Sequence, residues 1–237
     1  MQSNQHHLLD TNIILAMVLP KDNSFKDTKK YLETEYIRYI SENATDEAET
    51  KISNIQIISL EISEFIKNYS INNNLNYLRM DKQKFEIKKQ YLDKYKSKNL
   101  PINIPQDRFN DLVVDFFNYN EDEITTVLIT NNNKNLNKLI INAFKENIIN
   151  LNDFINKYYQ IAFVSSGAKV EDFKKIGAHK KDAILLDETY HLHLTLHKPV
   201  NFITFDSDVL DLKKNIHSLI SNDITVSSPK EFISKNN

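Results

Sequence analysis

An α/β fold with a central parallel sheet and a mainly helical insertion is predicted by three features of the sequence. The stretch HLLDTNIILAMVLP runs from apolar residues into Asp10, Thr11 and Asn12 and resumes with Ile13, Ile14 and Leu15. That is the pattern of a buried strand followed at once by a capped helix. NFITFDSDVLDL repeats it near the other end, with apolar Phe202 to Phe205 leading into Asp206, Ser207 and Asp208. Between the two, Asn68 to about Gly167 is dominated by helical spacing and is far too long for a loop.

The remaining elements follow in order. Pro20 to Ser24 is a turn, and Phe25, Lys29, Leu32, Tyr36 and Tyr39 have helical spacing over 25–39. Ser41 to Lys51, polar and acidic, is a solvated helix or loop, and Ile55 to Ile58 is a β-rich stretch leading into SLEISEFIKNY. In the insertion, MDKQKFEIKKQYLDKYKSK is a charged amphipathic helix that NLPINIP breaks. FNDLVVDFFNY and LNKLIINAFKENIINLNDFINKYY are helical, with TTVLIT between them as a short strand. From Val170 onward a helix begins near Lys180, NFITF is a strand, 209–219 is a helix and 224–226 a last strand. SPKEFI closes as a helix with Ser228 as cap and Pro229 at its first position. The α/β part is thus assigned to 1–67 and 168–237, and the insertion or cap to 68–167.

Composition removes several kinds of function. With no cysteine, thiolate zinc sites, disulfide scaffolds and cysteine nucleophiles are excluded, and a reducing cytoplasm is the expected location. Gly167 and Gly177 are the only glycines, so the phosphate-cradling loops of Rossmann and P-loop proteins are excluded too. The polar start MQSNQHHLL is unlike a secretory signal. No run approaches the roughly 18 apolar residues of a membrane span, so no membrane association is expected. Lys plus Arg is 30 against 32 Asp plus Glu, a net charge of -2, which is not the balance of a strongly basic nucleic-acid binder.

Groups at the carboxyl ends of strands in an open parallel sheet face the crevice where ligands bind. Asp10, a glutamate at 61 or 64, Asp182 in the first turn of its helix, and Asp206 with Asp208 are all brought toward that edge. Crowded carboxylates are unfavourable without a cation. Mg²⁺ or Mn²⁺, which takes carboxylate oxygens and water at about 2.0–2.1 Å and keeps positions for phosphate oxygens, answers this. Such an ion makes bound water nucleophilic and clamps a phosphodiester for in-line attack.

HLLDTNIIL, the glutamate of LEISEF, KKDAILLDE and FITFDSDVL, in that order and closing with SPKEFI, together resemble the PIN-domain nucleases. The matching segments cover 7–20, 55–66 and 178–234; the middle hundred or so residues have no counterpart in compact members. The resemblance implies a three-layer α/β/α PIN-like domain and a metal-dependent endoribonuclease acting on RNA, or on single-stranded DNA. It also implies a toxin or defence effector, with an inhibitor or antitoxin protein and self-association among its partners. On this resemblance Asp10, Asp182 and Asp206 are metal ligands and Asp208 an additional acid. Thr11, Asn12 and Thr204 orient them. Glu64 best fits the family's small-Glu-apolar pattern, with Glu61 one turn earlier as the alternative.

Plainer roles stand beside these. Asp10 is also a cap for the first helix, Asp206 or Asp208 a cap for the helix at 209–219, and Asp182 gains from the helix dipole wherever it sits. Lys180 and Lys181, beside Asp182, and Lys21 either steer phosphate toward the acids or are solvated. His6 and His7 are strand-edge or terminal residues, and His191, His193 and His197 lack the HExxH pattern of a zinc site. An aspartyl-nucleophile phosphatase needs a second acid two residues after the nucleophile, where this chain has Asn12. A non-catalytic PIN-like module that binds RNA or protein is the principal alternative to the nuclease.

Overall fold

The strand expected at the start forms and becomes the centre of the sheet. The computed structural model describes residues 5–19, 24–73, 80–96, 100–102, 104–161, 167–220 and 224–233. Pro20 to Asn23 of the expected turn and Lys21 lie outside them. Strand β1 (His6–Leu9) passes through Asp10 into α1 (Thr11–Val18); α2 (Phe25–Leu32) and β2 (Ile37–Ser41) follow. Then come α3 (Glu42–Asn72), α4 (Met80–Lys96), α5 (Gln106–Tyr119), α6 (Glu121–Thr130) and α7 (Lys134–Lys157). The chain returns through β3 (Tyr159–Ile161), α8 (Val170–Lys175), α9 (Lys180–Leu196) and β4 (Val200–Ile203). It finishes with α10 (Ser207–Asp211), α11 (Lys213–Ile220), β5 (Ile224–Ser227) and α12 (Pro229–Ile233).

The strands pair in parallel in the order β3-β2-β1-β4-β5. Leu9 is in register with Ile40 on one side and Ile203 on the other, and Ile203 with Ser227. Successive side chains of a strand face opposite sides, and every residue of β1 is buried, so both faces of the sheet are covered. Helix α9 packs on β4, α11 on β5, and α2 against α1 and α12. The architecture is three-layer α/β/α with a small central parallel sheet. At its end Pro229 opens α12, and Ser228 donates its backbone N–H to Glu231 at 3.1 Å.

Compactness divides the chain into two units: Met1–Glu49 with Asn147–Asn237, which holds the sheet, and Thr50–Glu146. The boundaries fall within α3 and α7, against an insertion placed at 68–167 from the sequence. The second unit has its own core. Ile58, Ile62 and Ile66 recur every four residues on α3 and meet Tyr91 of α4, Phe109 of α5 and Val127 of α6.

Several local expectations change. The helical spacing over 25–39 ends at Leu32, and Ile37–Ser41 is a strand. Ile55–Ile58 is not a strand but lies inside α3, and TTVLIT lies in α6. The third strand arises at Tyr159–Ile161, immediately after α7. His6 and His7 sit in the central strand: His7 is fully buried, with Nδ1 2.7 Å from the Tyr31 hydroxyl and its ring stacked 4.4 Å from that of Tyr36. Beside it in register, Arg38 is only 6% exposed. Its guanidinium donates to the carbonyls of Tyr31 at 2.8 Å and Thr34 at 2.7 Å and lies 4.9 Å from the Tyr31 ring centroid. Carbonyl oxygens thus solvate a charge that the strand buries.

Candidate functional site

Asp10 and Asp206 follow neighbouring strands. From β1 the chain runs to β2 on one side, while β4 leads to β5 on the other, so the crevice between β1 and β4 is the switch point of the sheet. The Asp10 N–H continues the ladder to the Ile203 carbonyl at 3.0 Å, and its extended backbone makes it the cap of α1. Three donors then converge on its buried carboxylate. Thr11 N–H reaches Oδ1 at 2.6 Å, and Asn12 Nδ2 and the Thr204 hydroxyl each reach Oδ2 at 2.6 Å. The carboxylate is the cap of α1 that its plainer reading foresaw, and a fixed hydrogen-bond acceptor.

Thr204 is fully buried and ties the two strand ends together. Its Oγ1 donates to Asp10 and accepts the Asp206 N–H at 2.8 Å and Asn12 Nδ2 at 3.0 Å. Asn12 completes the mesh by accepting the Phe205 N–H at 3.1 Å. Asp206 caps α10 through Oδ1, which accepts the N–H of Asp208 at 2.8 Å and of Val209 at 3.4 Å. Asp208 is exposed, with Oδ2 3.9 Å from His179 Nε2, the residue before α9. Asp182, half-buried, is in the first turn of α9 behind Lys180 and Lys181. A Thr204→Val protein keeps the side-chain volume but strands the Asp206 N–H and removes a donor from Asp10. Urea unfolding is expected to show a loss of about 1–3 kcal/mol.

Glu61 and Glu64 both lie on the part of α3 that belongs to the helical unit. Glu64 belongs to the helical unit, where it accepts from Asn133 Nδ2 at 3.1 Å and lies 3.3 Å from Lys67 Nζ. Glu61, in the same unit, accepts from the Tyr95 hydroxyl and lies 3.4 Å from Lys94 Nζ. The acid that reaches the sheet-edge residues is Glu47, on the second turn of α3. Its Oε2 accepts the Thr11 hydroxyl at 3.0 Å and its Oε1 the Lys181 ammonium at 2.8 Å. Sequence reasoning missed it because IRYIS was not read as a strand. With that strand in place, Ser41 caps α3 by accepting the Ala44 N–H at 3.1 Å, and the acids after it fall on a helix that leaves the same sheet edge.

A second carboxylate lies close to this cap in space, though distant in sequence. Glu188 of α9 is fully buried; Oε1 accepts from Asn43 Nδ2, and Oε2 has no partner among the described residues. Burial pushes its carboxyl up, against the hydrogen bonds from Asn43 and Ser41. An acid raised in the folded state destabilises the fold increasingly as pH rises above the unfolded value of about 4.3. Glu188→Gln protein is therefore expected to gain ~1 kcal/mol over wild type at pH 8, with the gain shrinking toward pH 5 in urea titrations. Neighbouring Asp187 has a different task, accepting the N–H groups of Gly167 at 3.2 Å and Lys169 at 2.8 Å where α8 begins.

Among the described residues, no group of three or more His, Cys, Asp or Glu side chains is close enough to hold a metal ion. The late histidines have separate surroundings: His191 lies 3.8 Å from Asp187, and His193 Nδ1 lies 2.8 Å from the Lys198 carbonyl. Also among the described residues, no helix is long and apolar enough to cross a membrane. No protein-family model, curated protein or solved structure matches the chain.

Proposed function

We propose that this chain is a Mg²⁺- or Mn²⁺-dependent nuclease that hydrolyses RNA phosphodiester bonds at the carboxyl edge of its sheet. The observation that carries the reading is the union of Asp10 and Asp206 through the hydroxyl of Thr204, across 194 positions of sequence between Asp10 and Thr204. Helix capping alone requires no such link between strands. The link lies at the switch point, where parallel α/β sheets bind ligands.

Asp10, Asp206, Glu47 and Asp182 offer carboxylate oxygens of the kind a hard ion takes, with no sulfur or imidazole, though as placed no three of them are close enough to hold one. When bound, the ion would supply an activated water and neutralise charge on the phosphate. The chain's own residues do the rest. Thr11 N–H, Asn12 and Thr204 hold Asp10 in one orientation, Asp206 is held by two backbone amides, and Asp208 extends the acidic edge outward. Lys180 and Lys181 supply positive charge for the nucleic-acid backbone. Glu47 takes the glutamate role for which Glu64 and Glu61 were considered. RNA as substrate, a cytoplasmic setting, and a toxin or defence role with an inhibitor protein rest on the resemblance to PIN-domain nucleases.

The absence of a three-acid group among the described residues favours one second reading, a PIN-like module that binds RNA or protein without cutting it. Incubation of the protein with mixed RNA and single-stranded DNA, with Mn²⁺ or with EDTA, separates the two. Mn²⁺-dependent cleavage of RNA, lost in folded Asp206→Asn protein, is the expected result. RNA retention with no cleavage under any metal condition would establish the binding module instead.

A further inference from the structure

We infer that the outward face of α7 in the helical unit is a contact between two copies of this chain, which meet antiparallel across Asn142. Leu136 and Ile140 turn the other side of α7 into the core of that unit. On the outward side, a groove among the described residues is lined by Asn135, Lys138, Leu139, Asn142, Ala143 and Glu146. All six are exposed, Leu139 to 39%.

Their spacing is that of a helix-packing surface. Asn135, Leu139 and Ala143 form one row of side chains four apart, Lys138, Asn142 and Glu146 form the next, and the groove runs between the rows. In the commonest class of helix packing, a row of this spacing on one helix seats in such a groove on another. Leu139 and Ala143 make one wall of the groove apolar.

The charges on the other row select the occupant. Lys138 lies one turn before Asn142 and Glu146 one turn after it, each about 6 Å along the axis from the asparagine. The order is positive, neutral, negative, and it is complemented by a row that reads negative, neutral, positive at the same spacing. The same row of a second copy, running antiparallel, has that order. Lys138 then lies beside the partner's Glu146 and Glu146 beside the partner's Lys138. On the two-fold axis Asn142 meets its own copy, and a side-chain amide can both donate to and accept from an identical amide. Within one chain these groups have no such partners. Lys138 and Glu146 are about 12 Å apart along the helix. Among the described residues neither has an ion-pair partner, and the Asn142 side chain has no hydrogen bond. Lys67 and Lys94 of the same unit, by contrast, lie 3.3 Å from Glu64 and 3.4 Å from Glu61.

A single pair of helices buries less than a standard interface of about 1,600 Å², so the dimer is a weak one, with Kd on the order of 100 µM. Sedimentation equilibrium of the full chain over about 10–500 µM reads it directly. Wild type is expected to dimerise. Lys138→Glu and Glu146→Lys each set like charges against one another twice across the axis, and each is expected to weaken the dimer at least about tenfold. The double variant Lys138→Glu/Glu146→Lys restores the complementary order and is expected to dimerise like wild type. An equimolar mixture of the two single variants is expected to associate as well, although neither does so alone. Circular dichroism confirms that each protein is folded. Wild type that stays monomeric throughout overturns the proposal, as does a dimer that both single variants leave unchanged. Failure of both the double variant and the mixture to recover association overturns it too.

Discussion

Asp10→Asn protein is expected to stay folded and to lose Mn²⁺-dependent RNA cleavage by about a thousandfold, the scale on which one preorganised electrostatic group acts. The substitution keeps the shape of the side chain and removes its charge. An amide offers an acceptor on one side and a donor on the other, whereas Asp10 accepts on both, from Thr11 N–H and from Asn12 with Thr204. One of these contacts must turn unfavourable, because the Thr204 oxygen already accepts from Asp206 and Asn12, so the cost to stability is about 1–3 kcal/mol. Gel-resolved cleavage at saturating Mn²⁺, alongside thermal unfolding, checks both halves. Retained cleavage in a folded variant would remove Asp10 from the chemistry and leave it a helix cap.

The second large effect concerns acid. His7 is held neutral, its pKa pushed down to about 3, by burial first, then by the nearby Arg38 charge and by His6. In the unfolded chain the imidazole returns to about 6.5 and takes up protons more readily. The sign follows: stability from His7 is whole above pH 6.5 and drains away as pH falls toward 3. By pH 5 the loss is roughly 2 kcal/mol, and near pH 3 it approaches ~5 kcal/mol. His7→Phe keeps an aromatic ring among Tyr31, Tyr36 and Phe232 but cannot be protonated. It is expected to be about 1 kcal/mol less stable at pH 7.5, because the Tyr31 hydroxyl loses its partner, and to fall less steeply with acid. Urea titrations at pH 7.5 and pH 5 compare the two slopes; parallel slopes would mean that His7 is not the group that senses acid.

Much of the sheet unit is legible in the sequence where a strand exit and a helix cap coincide. HLLDTN and FITFDSD announce themselves because an apolar run ends on a residue whose side chain closes the next helix; at α12 the start is marked by Pro229 and by Glu231 accepting the Ser228 N–H. The strand IRYIS is hidden because Leu32, Tyr36 and Tyr39 extend a helical spacing across it. An arginine at its second position also speaks against burial until the carbonyls that receive it are seen. With that strand unread, Glu47 had no place at the sheet edge.

In the helical unit, TTVLIT has the β-branched composition of a strand yet forms α6. Thr125, Thr126 and Thr130 each turn their hydroxyls back to the carbonyl four residues earlier, while Ile124, Val127 and Leu128 enter the core. Tertiary burial there outweighs intrinsic preference.

A hydroxyl has one hydrogen to give, and Thr204 gives its own to Asp10. Its oxygen then has only lone pairs left for the Asp206 amide and for Asn12, so every dipole in the mesh points the same way, with Asp10 as the sink. Withdrawing charge from that sink relaxes the pull on the shared oxygen and so on the amide behind it. A change of charge at Asp10 is thus felt at the backbone of Asp206 through a single atom.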